Sequence, residues 1–142
     1  MKYCTINDII DDIGFRAVLE LTDDRDPPVE INQALVNKKI DEASTYIDSY
    51  IYERYPMPIT NAEDLEILKR ICVALVVTEL YFRRLGLDYS DSLQARRKEA
   101  LDNLDKIQKG IIKLKSGTQS YKPLFYRVSS TIRSFGDELR DY

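Results

Sequence analysis

The chain has 142 residues, of which 44% are hydrophobic and 32% are charged, a balance typical of one globular domain with its own core. Its formal net charge of -3 argues against a dedicated nucleic-acid binder, which needs a basic surface to displace counterions from phosphate. There is no histidine, and two cysteines are too few for a disulfide framework. The longest apolar run, residues 71–77, is far shorter than the ~20 residues of a membrane-spanning helix, so we predict no span.

Two short helices are predicted at the N terminus. Thr5 can cap the first helix by accepting the backbone N–H of Asp8, and Gly14 can end it in a left-handed conformation. A second helical segment follows over residues 15–21. Residues 22–31 are predicted to form a loop, because two consecutive prolines lack backbone donors and the aspartates before them favour turns.

A third, longer helix is predicted to open near Asn32. Its apolar residues recur at alternating spacings of four and three, which places them on one helical face. These residues are Val36, Ile40, Ala43, Ile47 and either Tyr50 or Ile51. Pro56 is expected to stop this helix, since proline cannot continue the backbone hydrogen bonding.

Two more long helices complete the predicted domain. Asn61 can cap the fourth helix and Gly86 can end it. Residues 71–77 are apolar all round, which is typical of a helix surrounded by other elements; a buried strand is the competing interpretation, and the helical spacing of the following apolar residues favours a helix. Ser90 can cap the fifth helix, whose predicted stripe is Leu93, Ala100, Leu101, Leu104, Ile107, Ile111 and Leu114.

The acidic loop and the scarcity of catalytic side chains bear on chemistry. The alternating oxygen-bearing residues from Asp24 to Asn32 suggest a calcium loop, but Pro28, Val29 and Leu35 occupy positions where the helix-loop-helix calcium pattern needs an oxygen ligand, glycine and glutamate. We therefore interpret this segment as a turn before a helix. Without histidine, acid–base catalysis would need a carboxylate or lysine with a shifted pKa. We predict no enzyme activity, no cofactor and no metal.

Ten tyrosines in a chain without tryptophan suggest contact surfaces, because tyrosine combines an apolar ring with a polar tip. Four of them, Tyr46, Tyr50, Tyr52 and Tyr55, cluster at the end of the third helix and cannot all face one core stripe. Two interpretations stay open: two of them lie in the core and two at the surface, or the cluster contacts another subunit. Tyr46 and Tyr52 are the candidate interface residues.

The last part of the chain differs in character from the rest. Residues 1–115 are predicted to form the helical domain, and residues 116–142 an extended C-terminal arm that begins with a polar Ser/Gly/Thr linker and shows no sustained helical period. The predicted fold is thus an all-α bundle of three long and one or two short helices with an arm. The candidate interface residues of the arm are Leu124, Phe125, Tyr126, Val128 and Phe135.

Several short motifs, taken in order, resemble a Mu-type phage structural family. They are Ile-Asp-x-Tyr at residues 47–50, Arg-Tyr-Pro at 54–56 followed by Pro58, the opening segments 3–9 and 21–24, and the closing segment 135–142. That family is largely described as a domain of unknown function and is associated with joining the phage head to its tail. The resemblance covers nearly the whole chain.

The resemblance implies a head–tail connector or head-completion subunit of a phage or prophage that assembles as a ring at the portal. The implied partners are further copies of the chain, the portal and the tail-completion proteins. The implied locations are the host cytoplasm during assembly, in keeping with the lack of a signal-like N terminus, and then the virion neck. A small helical interaction or regulatory protein acting as a low-order oligomer is the alternative. Arg83-Arg84 and Arg96-Arg97-Lys98 are interpreted as solvated helix faces, with a DNA-lining role as the lesser alternative.

Overall fold

The computed structural model describes residues 1–86 and 90–116, and every regular element in these two ranges is a helix. The predicted all-α bundle of three long and two short helices is confirmed. The helices are α1 (Ile6–Ile13), α2 (Phe15–Thr22), α3 (Gln33–Ile51), α4 (Ala62–Leu85) and α5 (Asp91–Lys109). The three long helices pack against one another, and α1 and α2 pack on each other and on α4.

The three predicted N-caps are confirmed, and α3, predicted to open near Asn32, is capped by that residue as well. Each cap side chain accepts a backbone N–H from the first turn of its helix, where no carbonyl is available to do so. The caps are Thr5, Asn32, Asn61 and Ser90. At α1 the arrangement is reciprocal, because the carboxylate of Asp8 also accepts the backbone N–H of Thr5 at 2.8 Å. The polar residues before the apolar periods therefore set where these helices begin.

Gly14 joins the first two helices with no intervening loop. Its φ of +90° is open mainly to glycine, but its ψ of 153° is not that of the left-handed helical conformation expected from the sequence. The extended ψ turns the chain so that α2 can begin at the very next residue. The prediction that Gly14 ends α1 is confirmed, whereas the predicted conformation was wrong.

The centre of the bundle is the middle of α4. All seven residues from 71 to 77 are buried, and none exceeds 7% exposure. Four other helices pack around this one, which explains why no polar position interrupts the segment. The helical interpretation of this segment is confirmed, and a strand is ruled out for it. No helix in the described ranges is long and apolar enough to cross a membrane.

The apolar stripe of α3 faces this centre. Val36, Ile40, Ala43 and Ile47 are buried as predicted, and Ile51, not Tyr50, occupies the last core position. The helix ends at Ile51, ahead of Pro56, and the backbone N–H groups of residues 54 and 55 both donate to the carbonyl of Ile51. The proline thus lies beyond the tight turn that ends the helix.

The end of α5 differs from the prediction. The helix stops at Lys109 because Gly110 adopts the left-handed conformation, with φ of 79° and ψ of 12°, and its N–H and that of Ile111 return to carbonyls of the last turn. Ile111 is consequently 69% exposed and lies outside the stripe. Leu114 is buried, but from the segment after the helix. Leu93 and Leu101 are half-buried, whereas Ala100, Leu104 and Ile107 form the buried part of the stripe.

The acidic loop between α2 and α3 is organised by Asp23. Its buried carboxylate accepts hydrogen bonds from the Arg25 side chain and from the backbone N–H groups of Val29 and Glu30, at 2.7 to 3.1 Å. These donors, Arg25 foremost, hold the pKa of Asp23 well below its usual value. Within the described ranges, no cluster of three or more acidic or cysteine side chains could hold a metal ion.

The structure predicts a pH dependence centred on Asp23. Because its pKa is lower in the folded than in the unfolded chain, the carboxylate stabilises the fold fully above its ordinary pKa of about 4 and progressively less as the pH falls below it. Asp23→Asn should lower the free energy of unfolding at neutral pH, and the gap from wild type should narrow between about pH 5 and about pH 3. Urea unfolding of both proteins across this pH range measures the difference in their free energies of unfolding.

Asp26, exposed in the same loop, provides the matched control. Asp26→Asn should leave unfolding close to that of the wild type at each pH. An Asp23→Asn gap that stays constant down to pH 3 would contradict the assigned role of the carboxylate.

The central position of residues 71–77 gives a second prediction. Val76 is fully buried, so Val76→Asp would place a carboxylate among apolar side chains at a cost of at least ~4 kcal/mol, a large part of the stability of a typical domain. We expect little folded protein by circular dichroism and thermal melting. Ile111→Asp, at a 69% exposed position, should melt like the wild type. A normal melting curve for Val76→Asp would show that the segment is not central.

Candidate functional site

The tyrosine cluster at the end of α3 divides into surface and core members. Tyr46 and Tyr52 are 44% and 59% exposed, Tyr50 is half-buried, and Tyr55 is buried. The rings of Tyr46 and Tyr50 meet edge to face with centroids 5.2 Å apart, and their hydroxyls are 3.1 Å apart. The two predicted interface tyrosines of the domain therefore lie at the surface of one end of α3, Tyr46 braced by its neighbour.

Tyr55 is a core residue that contacts the segment after α5. Its buried hydroxyl accepts the backbone N–H of Leu114 at 3.1 Å, which fixes the segment that follows α5 against the turn after α3. Next to it, the Arg54 side chain donates to the carbonyl of Gln108 at 2.9 Å. The guanidinium also fills the space beside Gly110, where an added side-chain carbon would lie 2.9 Å from it. The end of α3 thus holds the end of α5.

Asp64 in the first turn of α4 holds the chain just beyond. Its carboxylate, 1% exposed, accepts the backbone N–H of Lys115 at 2.8 Å, that of Ser116 at 2.7 Å, and the Ser116 hydroxyl. The positive end of the α4 helix dipole also favours a negative charge there. The Lys115 ammonium forms an ion pair with the exposed carboxylate of Glu63. We call Tyr55, Asp64 and residues 114–116 the exit site.

The arginine pairs are engaged with carboxylates of the same chain. Arg83 and Arg84 both contact Asp24, at 2.7 and 3.3 Å, and so join the end of α4 to the acidic loop. The other pair joins α5 to its neighbours, with Arg96 on Asp12 at 2.7 Å and Arg97 on Glu79 at 3.3 Å. Arg83, Arg84 and Lys98 are exposed, as predicted, whereas Arg96 and Arg97 are half-buried and the ion pairs of the arginines were not predicted. The DNA-lining alternative stays an untested prediction.

A groove of about 650 Å³ lies between α1, α4 and α5. Asp8 and Lys69 face each other across it at 3.3 Å, and the ion pair between Asp12 and Arg96 lines it as well. The hydrogen bond to Asp8 raises the pKa of Lys69. For Asp8, partial burial acts to raise the pKa, but hydrogen bonds from Thr5 and Lys69 outweigh it and the pKa is lowered. Both shifts keep the groups charged, the reverse of what proton transfer near neutral pH needs.

The remaining candidate interface residues fall beyond the described ranges. Leu124, Phe125, Tyr126, Val128 and Phe135 all belong to residues 117–142, as does most of the predicted arm. The exit site was not predicted from the sequence. A carboxylate at the third position of a helix and a tyrosine before a proline each have ordinary local explanations, and nothing in their spacing points to partners more than 50 positions away.

Over residues 3–124 the sequence matches the family described as Bacteriophage Mu, Gp36. The chain belongs to this family. The match takes in all five helices and the exit site and continues to Leu124, so the resemblance seen in the opening segments and in the motifs around Pro56 is confirmed. The closing segment 135–142 lies beyond the matched region. No curated protein sequence matches the chain.

Membership in the Mu Gp36 family makes this a phage protein, and the matched region gives the exit site a particular place in it. The match runs past Ser116, so the anchored segment and the start of the linker belong to the family domain. From Phe125 onward the chain lies outside the family match, and four of the five candidate residues of the arm are there.

The exit site can be tested by removing the charge of Asp64. Asp64→Asn loses charge-assisted hydrogen bonds to two backbone N–H groups and should lower the free energy of unfolding by about 2–4 kcal/mol. Trypsin should also cleave after Lys115 faster in this variant, because the segment is no longer held. Unfolding in urea and timed digestion followed by mass spectrometry measure the two effects.

Glu63 serves as the matched control, since it lies beside Asp64 but is exposed. Glu63→Gln removes only a surface ion pair and should cost less than ~1 kcal/mol, with little change in cleavage. Equal effects of the two substitutions would show that Asp64 is not the anchor.

Proposed function

We propose that the protein is a head–tail connector or head-completion subunit of a phage or prophage, assembling with further copies as a ring at the portal. The observation that carries this proposal is the match to the Mu Gp36 family over residues 3–124. The Mu-type family that the sequence motifs resemble is associated with joining the phage head to its tail, and this association supplies the proposed role. In this proposal the protein is not an enzyme, it assembles in the host cytoplasm, and it ends in the virion neck.

The distribution of charge in the domain supports a scaffold role. Ion pairs join Asp12 on α1 to Arg96 on α5, Asp24 of the acidic loop to Arg83 on α4, and Glu79 on α4 to Arg97 on α5. Each exposed pair contributes little to stability, but the three pairs favour the arrangement of these elements that the apolar core already sets. A preorganised subunit loses less entropy on entering a ring than one that must order itself at that moment.

The exposed tyrosines and the arm supply the proposed contact surfaces. Tyr46 and Tyr52 present apolar rings with polar tips at one end of α3, the amphipathic character that suits a partly wet interface. The arm offers Leu124, Phe125, Tyr126, Val128 and Phe135 beyond a point at which the chain is fixed to the domain. In the proposal these residues contact a neighbouring subunit, the portal or a tail-completion protein, with residues 124–128 as the candidate for an added strand.

Sedimentation of the full-length chain with the purified portal ring of the same phage genome tests the proposal. We expect stable co-sedimentation and a ring of added density at the portal by electron microscopy. A chain truncated after Ser116 keeps every contact of the exit site, so it should unfold like the full-length chain while its binding to the portal or to itself weakens at least tenfold.

Two further variants distinguish a specific contact surface from non-specific association through exposed apolar side chains. Tyr46→Ser combined with Tyr52→Ser should weaken assembly, whereas Val29→Ser, at a 68% exposed apolar position on the acidic loop, should not. A fixed dimer or trimer without affinity for the portal would overturn the connector proposal and favour the alternative of a small helical interaction or regulatory protein. A truncated chain that fails to fold would show that the arm belongs to the domain.

A further inference from the structure

The two cysteines of the chain meet in the core. The Sγ atoms of Cys4 and Cys72 are 3.0 Å apart although 68 positions separate them in sequence. Cys4 belongs to the segment before α1, Cys72 lies in the central part of α4, and both are free thiols with 3% and 0% exposure. A disulfide has an S–S bond of about 2.05 Å, so joining them needs a further approach of about 1 Å.

The N-terminal segment is held in this position from both sides. The backbone N–H of Tyr3 donates to Ser44 Oγ at 3.2 Å, and the buried Tyr3 hydroxyl donates to Asp48, so the segment lies along α3. Ser44 Oγ is itself 3.8 Å from Cys72 Sγ. Immediately after Cys4, the Thr5 cap fixes the start of α1. The position of Cys4 beside Cys72 is therefore maintained by contacts with α3 and by the cap at the start of α1.

A cleft leads to Cys4, but not to Cys72, from one side of the domain. A cleft of about 600 Å³ between the N-terminal segment, α1 and the end of the acidic loop is lined by Cys4, whereas Cys72 is not part of its wall. Lys2 and Asn37 also line this cleft, so it can admit a small polar reagent. Such a reagent meets Cys4 first.

The hydrogen bond between the two thiols shifts their pKa values in opposite directions. Hydrogen bonds from Cys4 and, more weakly, from Ser44 lower the pKa of the Cys72 thiol against the effect of its burial. The hydrogen bond to Cys72, together with burial, raises the pKa of Cys4. Attack by Cys4 is therefore expected to be slow, because only its thiolate is nucleophilic. The more acidic Cys72 thiol, which lies behind Cys4, favours the second step as the resolving group.

We propose that Cys4 and Cys72 are a modification site that closes reversibly to an intramolecular disulfide by exchange with a small-molecule disulfide such as oxidised glutathione. The thiolate of Cys4 attacks one sulfur of the reagent, which forms a mixed disulfide and releases one glutathione thiolate that takes up a proton. The thiolate of Cys72 then attacks Cys4 Sγ and releases the second glutathione. Two electrons pass from the protein thiols to the reagent, whose disulfide ends as two thiols.

The bond would tie the start of the chain to the middle of α4 and enclose α1, α2 and α3 in one covalent loop. In a reducing cytoplasm the pair stays as two thiols, and it closes when the protein reaches oxidising surroundings. Cross-linking a loop of this length restricts the unfolded chain strongly, so the closed form should be the more stable one. The proposal does not depend on the connector function.

The test exposes the full-length chain to oxidised glutathione under native conditions. Quenching with acid, alkylation and mass spectrometry should show that both thiols are lost together in a monomeric product without attached glutathione, and that dithiothreitol restores both. The oxidised chain should melt roughly 10 °C higher than the reduced chain. Cys4→Ala and Cys72→Ala, each small enough for its site, are the matched variants.

The variants separate the proposed bond from other reactions. In Cys72→Ala the remaining Cys4 should stop at a mixed disulfide, and in Cys4→Ala the buried Cys72 should react more slowly than Cys4 does; neither variant should gain in melting temperature. Circular dichroism establishes that each variant is folded. Two thiols that persist in the native wild type, a bond that forms only in urea, or cross-linked dimers as the main product would each overturn the proposal.

Discussion

Two turns of α4 without a polar side chain are the constraint on which this fold depends. A helix that is apolar on every side must be covered on every side, and a single partner helix covers only one stripe. In this chain α3 and α5 pack along much of α4, and the short helices α1 and α2 cover the surface of α4 that remains. The short helices are thus explained by the burial of α4, since helices of eight residues are marginal without tertiary contacts.

The sequence predicted what is local and missed what is distant. Caps at Thr5 or Asn61 act within one turn, and the burial of residues 71–77 follows from an uninterrupted apolar run, so both could be read directly. The end of α5 was predicted too far along the chain because Ile111 and Leu114 continue the apolar period past Gly110. The left-handed conformation of Gly110 ends the helix before them. The pairings of Asp64 with residue 116 and of Cys4 with Cys72 span 52 and 68 positions, and only the packing of α4 brings them together.

Buried polar side chains hold two irregular segments of the domain in place. Thr22 and Asp23 end α2 and gather the backbone N–H groups of the acidic loop, and Asp64 does the same for the segment after α5. In both places a carboxylate satisfies backbone donors that no helix or strand would use, which removes the cost of burying them unpaired. The sequence marks these residues only as turn or cap formers, because their partners are main-chain atoms that carry no sequence signal.

The position of Ser116 has a geometric consequence for any assembly of this chain. Ser116 is bound to the first turn of the central helix, which fixes its position on one side of the domain. Cyclic symmetry would copy that position around the axis, so the Ser116 residues of all subunits would form a circle at a single height. The bound Ser116 residues would then mark one rim of such an assembly, and this rim would be the same for every subunit.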